Sequence, residues 1–144
     1  MTTKTPFEFF DVTADVGFRA YGLNLEEAFE NAALAVFDTI TDTKRIKKQL
    51  SKRIIIESED EKALLYDWLT ELLFLHDSED LIFSQFQVKI RKERLDRFVL
   101  EAEASGEEFD PTIHEIRDEV KAVTFHLMKI QKERGCTVQV ILDI

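Results

Sequence analysis

The sequence predicts an α+β fold, with mixed β-sheets packed against two main α-helices. Three observations carry that prediction. Two stretches repeat their apolar residues at helical spacing, and each opens on a side chain able to cap a helix. Several other stretches alternate apolar and polar residues with a period of two, the signature of half-buried strands. Phe occurs 12 times against only 4 Gly and 2 Pro, which favours packed regular elements over long loops. A chain of 144 residues suffices for one core, so a single domain over 1–144 is expected.

Residues 7–12 read as a first strand and residues 15–21 as a second, ended by Gly22. Asn24 followed by Glu27 can cap the first helix, whose stripe is Leu25, Ala28, Phe29, Ala32, Val36, Phe37 and Ile40. Residues 50–57 follow as a strand containing Ile54, Ile55 and Ile56. Ser58 and Glu61 are expected to open the second helix, whose stripe runs Leu64, Leu65, Trp68, Leu69, Leu72 and Leu73 to a closing His76. Residues 81–92 and 97–104 then form a pair of strands around a charged turn. Residues 106–118 are polar, contain Pro111 and read as a loop or short helix. Residues 120–130 are apolar on both faces in places, which predicts a central strand. Gly135 closes a turn into a last strand over 136–144.

The formal net charge is -10. Nucleic-acid binding draws its affinity from Lys and Arg neutralising phosphates, so strong direct binding to RNA or DNA is not expected. Lys44, Arg45, Lys47, Lys48, Lys52 and Arg53 cluster locally and read as a solvated loop and edge strand. The single Cys136 excludes an intramolecular disulfide and Cys-rich zinc sites, and it reads as an inert thiol. The amino terminus lacks the apolar run of a signal peptide, and no stretch approaches the ~20 apolar residues that span a bilayer. A cytoplasmic protein without membrane attachment is expected.

No GxxxxGK[ST], GxGxxG or GxSxG pattern is present. His76, His114 and His126 do not share a metal-ligand spacing. The acids are more informative. Asp11 and Asp15 flank the turn between the first two strands, and Asp143 is the penultimate residue of a mostly apolar strand. Converging carboxylates repel unless a cation joins them, and a set of oxygens alone suits Ca²⁺ or Mg²⁺. On spacing alone the plainer reading is that Asp11 caps a turn and Asp143 is solvated.

Four segments alter that balance. Residues 7–22 (FEFFDVTADVGFRAYG) resemble the opening signature of the archease family. Residues 64–73 (LLYDWLTELL) are similar to that family's second helix, and residues 119–126 (EVKAVTFH) to its late central strand. The chain ends Leu142-Asp143-Ile144, as archeases do, and the four segments occur in the family's order. The resemblance implies a fold related to that of a redox-regulated heat-shock chaperone (Hsp33), without its zinc-binding cysteines. It implies an accessory protein, not an enzyme, that activates the GTP-dependent tRNA-splicing RNA ligase. Such a protein promotes guanylylation of the ligase's active-site histidine and supports multiple turnover. It also implies a metal site formed by Asp15, Asp143 and the main-chain oxygens of Ile144, with Ca²⁺ as the expected ion and Mg²⁺ or Mn²⁺ as substitutes. The family usually has His directly after the first Asp, where this sequence has Val12. Two rival functions stand beside this one: a protein-folding chaperone, and a stand-alone metal-dependent hydrolase.

Overall fold

The structure is a computed structural model that describes residues 5–144. Strands β1 (Phe7–Val12) and β2 (Asp15–Gly22) form a hairpin, followed by α1 (Leu25–Ile40) and a short 3-10 turn (Thr43–Arg45). Then come β3 (Leu50–Ser58), α2 (Glu61–Glu79), the hairpin β4 (Leu81–Arg94) and β5 (Arg97–Glu108), and finally β6 (Ala122–Gln131) and β7 (Cys136–Asp143). One sheet has the order β1-β2-β7-β6 and the other β3-β5-β4.

The helices form the layer between the sheets. Helix α1 packs against β2 and β7 on one side and β4 on the other, while α2 packs against β6 and against β3 and β5. That position explains the width of their apolar faces. Ala28, Phe29, Ala32, Ala33, Ala35, Val36 and Phe37 of α1 are all fully buried. Trp68 of α2 is fully buried as well, and its indole N–H donates to Phe29 O at 3.1 Å, which ties the two helices together. Truncating a buried Trp to Ala typically costs about 3–5 kcal/mol, so this contact is a major part of the core.

The α+β class is as predicted, but every strand pairing is antiparallel, so the sheets are not mixed. Helix α2 does connect two strands of like direction, β3 and β4. Strand β5 lies between them and runs opposite to both. A helical crossover would give a parallel pair if its strands were neighbours, and here β5 separates them.

Other differences are local. Helix α2 is capped by Asp60, whose side chain accepts from Ala63 N at 2.8 Å, and not by Ser58. Ser58 still belongs to β3, and its hydroxyl donates to Asp67. His76 lies in the last turn, and Asp80 in left-handed conformation ends the helix by donating its N–H to His76 O. Strand β5 runs on to Glu108. A bulge in β4 between Phe83 and Gln85 lets Gly106 pair with Phe83. A Cβ at Gly106 would lie 1.9 Å from Ile82 O, so only glycine fits this approach.

Strand β6 is an edge strand, not the predicted central one. Its pairing with β7 is interrupted between Thr124 and Lys129, and Leu127 lies at φ 55°. Across the bulge Phe125 is half exposed and stacks on Tyr66 of α2, and Leu127 is half exposed, which accounts for apolar residues along an edge strand. The interior strands of this sheet are β2 and β7, and Val138, Val140, Ile141 and Leu142 of β7 are buried. The edge position expected for residues 50–57 is observed in β3. Among the described residues, no helix is long and apolar enough to cross a membrane.

Candidate metal centre

The ends of β2 and β7 meet at one end of the four-stranded sheet. Asp15 opens β2 and Asp143 closes β7, and the two are directly opposed in the antiparallel ladder. The same row continues to Val12 on β1 and Ala122 on β6. Directly opposed residues share a face of the sheet, with Cβ atoms about 4.5–5.5 Å apart. Like charges in such a pair repel. Among the described residues, neither carboxylate has a salt bridge or a side-chain hydrogen bond to offset that repulsion. Asp15 is half-buried and Asp143 exposed.

Asp11 does not join them. It pairs with Val16, one residue out of phase, so its side chain lies on the opposite face. Ala14, at φ 64°, makes the tight turn that returns the chain from Val12 to Asp15. Val12, which stands where the resembling family usually has His, shares a row with Asp15. An imidazole there would have stood beside the acids, whereas an isopropyl group offers no donor.

The register that brings Asp15 to Asp143 is fixed by the rows behind it. The Phe10 ring covers Gly17 so closely that a Cβ there would sit 2.4 Å from it. The Arg19 guanidinium lies 4.6 Å from the centre of the same ring, and its Nε donates to Gln139 Oε1 at 3.0 Å. Gln139 in turn donates through Nε2 to Leu127 O at 2.8 Å, which holds the β6 bulge. A slip of one residue between β2 and β7 would break this chain of contacts and leave the two acids on opposite faces.

Ile144 lies just past the ladder and packs partly against the core. The carbonyl of Asp143 is already engaged, accepting from Lys121 N at 2.7 Å. Ile144, the next residue, brings its own carbonyl to this end of the sheet. Among the described residues, no three His, Cys, Asp or Glu side chains converge on a metal position. The arrangement thus offers a divalent ion two carboxylates, with main-chain oxygens and solvent left to complete its shell. An all-oxygen set of this kind suits Ca²⁺, Mg²⁺ or Mn²⁺.

The three histidines lie elsewhere. His126 is exposed on the β6 bulge. His76 Nδ1 is 2.9 Å from Leu81 O at the end of α2. His114 is buried, and the reading of the sequence missed its partner, Glu107. His114 Nδ1 accepts from Asp110 N at 2.9 Å, so Nε2 carries the hydrogen that it donates to Glu107 Oε2 at 2.9 Å. Lys47 N donates to the same oxygen at 2.7 Å. Burial pushes the Glu107 carboxyl up, but these two donors outweigh it and hold the group below its ordinary value. The signal for a buried acid was faint: Glu107 directly precedes another acid in a polar stretch, where a solvated face is the simplest reading. Cys136 is buried, and desolvation raises its thiol above the ordinary value, as an inert structural cysteine requires.

Comparison with known proteins agrees with this architecture. The Archease protein family matches residues 7–144. Protein archease of Methanothermobacter thermautotrophicus is 57% identical over 96% of this chain and 98% of its own length. Protein archease of Sulfolobus acidocaldarius is 45% identical over 97% and 99%. The solution structure of Methanobacterium thermoautotrophicum protein 1598 superposes with a TM-score of 0.85 at 56% identity, covering 96% of this chain and 99% of that one. With the family's match spanning both sheets, both helices and the Asp15–Asp143 row, the chain belongs to the archease family.

Proposed function

We propose that this chain is an accessory protein of tRNA processing, a single cytoplasmic domain that activates the GTP-dependent RNA ligase joining tRNA halves. It does so by promoting guanylylation of the ligase histidine, with a divalent cation held at Asp15, Asp143 and Ile144. The observation that carries this reading is the direct opposition of two unpaired carboxylates in a member of the archease family.

The chemistry divides between the ion and the protein. A divalent ion held here would supply positive charge to a nucleoside triphosphate. Asp15 and Asp143 hold that charge at a fixed place, because each stands on a strand whose register is locked by Phe10, Gly17, Arg19 and Gln139. Ile144 would contribute its carbonyl to such an ion, and its side chain packs partly against the core. Val12 leaves the adjacent position without a proton donor or acceptor, so proton transfer is assigned to the ligase. Positioning and charge neutralisation are the main contributions a protein makes to transfers at phosphorus.

Multiple-turnover ligation tests the reading. Ligase with wild-type protein should cycle repeatedly. Asp15→Ala and Asp143→Ala, both at or near the surface, should fold normally and reduce turnover at least tenfold. Full stimulation by both variants would refute the role of the site.

A further inference from the structure

Residues 109–121 have no regular secondary structure beyond turns, yet they are held in place along their length. Phe109 N donates to Asp80 O at 2.7 Å, and the Phe109 ring stacks on His114 with centres 5.7 Å apart. His114 is pinned inside by Glu107 and Asp110. Arg117 N and Asp118 N each donate at 3.0 Å to the last carbonyls of α1, on Ile40 and Thr39. Val120 is buried, and Lys121 N reaches Asp143 O. This is a strap with a fixed course, and its far end is bonded to the strand that carries the candidate metal site.

The strap presents two large apolar side chains to solvent. Ile113 is 54% exposed and Ile116 70%, on either side of the buried His114. Burying such a side chain typically yields about 1.5–3 kcal/mol, and the anchored backbone prevents either residue from turning inward to obtain it. Asp118 and Glu119 are exposed beside them without an ion-pair partner among the described residues, whereas Asp110 is engaged by Thr112. Arg117, a cation of the strap, is neutralised by Asp38 and Glu115. Lys121, at the β6 end, is an exposed cation, so it is the stretch around Ile113, Ile116, Asp118 and Glu119 that is apolar and acidic, on a backbone that pays little further entropy to dock.

We infer that this strap is the docking surface for the ligase, with Ile113 and Ile116 as apolar anchors and the unpaired acids facing a Lys- and Arg-lined surface. This rests on the reading given under Proposed function and names the contact that reading requires. Charge complementarity selects the occupant: an enzyme that binds RNA must line its surface with cations, and an acidic strap on a chain of net charge -10 complements it. Continuity with Asp143 means that docking the strap brings the metal site to the edge of the same cationic surface.

The test measures binding of the purified ligase to the full chain at several salt concentrations. Ile113→Ser/Ile116→Ser should weaken binding at least tenfold while its melting temperature and Ca²⁺ affinity match wild type. Asp118→Asn/Glu119→Gln should flatten the salt dependence. If the isoleucine variant binds the ligase as wild type does, the strap is not the docking surface and the proposed function stands. If that variant instead loses self-association while ligase binding persists, the occupant is a second copy of this chain and the inference fails. If wild type neither binds nor stimulates the ligase, both the inference and the proposed function fall.

Discussion

Glu107 shows how a single carboxylate can organise a loop. It is buried, and one of its oxygens accepts from both Lys47 N and His114 Nε2. Through His114 the same group fixes Asp110 and the turn at Thr112, whose N–H and hydroxyl both donate to Asp110 Oδ1. Glu107→Ala leaves two buried donors unserved and should destabilise the fold by about 2–4 kcal/mol in urea unfolding. Glu107→Gln keeps an acceptor and should cost less. The pH dependence follows from the lowered folded value of Glu107. Its contribution is present above the unfolded carboxylate value and is lost as pH falls through the lower folded value. The stability gap between wild type and Glu107→Gln should therefore narrow on acidification. A gap independent of pH would show that the charge on Glu107 contributes nothing. The pair was not legible in the sequence because a buried acid and its distant partners leave no periodic trace. Asp15 and Asp143 became legible only through the resemblance, since spacing alone favoured a capped turn and a solvated strand end.

At the scale of elements, α1 does more than fill the core. Strand β4 is an edge strand, and its outward N–H groups would otherwise be open to pairing with another chain. Glu30 Oε2 accepts from Val88 N at 2.9 Å, and Glu26 Oε2 accepts from Ile90 N at 3.0 Å. Residues four apart on a helix thus meet residues two apart on a strand. Burial is the largest influence on Glu30 and raises its carboxyl above the ordinary value, with Glu27 and Glu26 adding to it against the Val88 N–H. A raised folded value means that the charged form is disfavoured in the fold, so this group's contribution declines as pH rises through that range. Glu30→Gln, which keeps the acceptor and removes the charge, should be at least as stable as wild type at pH 7. Glu30→Ala should lose about 1–2 kcal/mol and show concentration-dependent association by light scattering, because the strand edge is uncovered. A Glu30→Ala chain that stays monomeric and equally stable would contradict this role. The helices themselves were legible because Leu64, Trp68 and Leu72 recur at helical spacing. Sheet membership was not. Period-two alternation identifies a strand such as β6 without saying who its neighbours are, and the insertion of β5 between β3 and β4 depends on long-range pairing.

At the scale of the whole molecule, two sheets enclose two helices, and the charge is distributed unevenly around that core. Arg53, Arg91 and Arg97 on the three-stranded sheet are matched by Glu101, Glu93 and Glu57. The opposite sheet ends in the Asp15–Asp143 row, which has no such match among the described residues. A net charge of -10 makes this end attractive to cations and to basic partners. The central claim is that this row holds a divalent ion. Calorimetric titration of Ca²⁺ into metal-free protein tests it most directly, with wild type, Asp15→Asn, Asp143→Asn and a chain lacking Ile144 compared under one buffer. Wild type should bind one ion per chain, each Asn variant should bind at least tenfold more weakly, about 1.4 kcal/mol, and loss of Ile144 should also weaken binding. Equal Ca²⁺ affinity in wild type and both Asn variants would contradict the account.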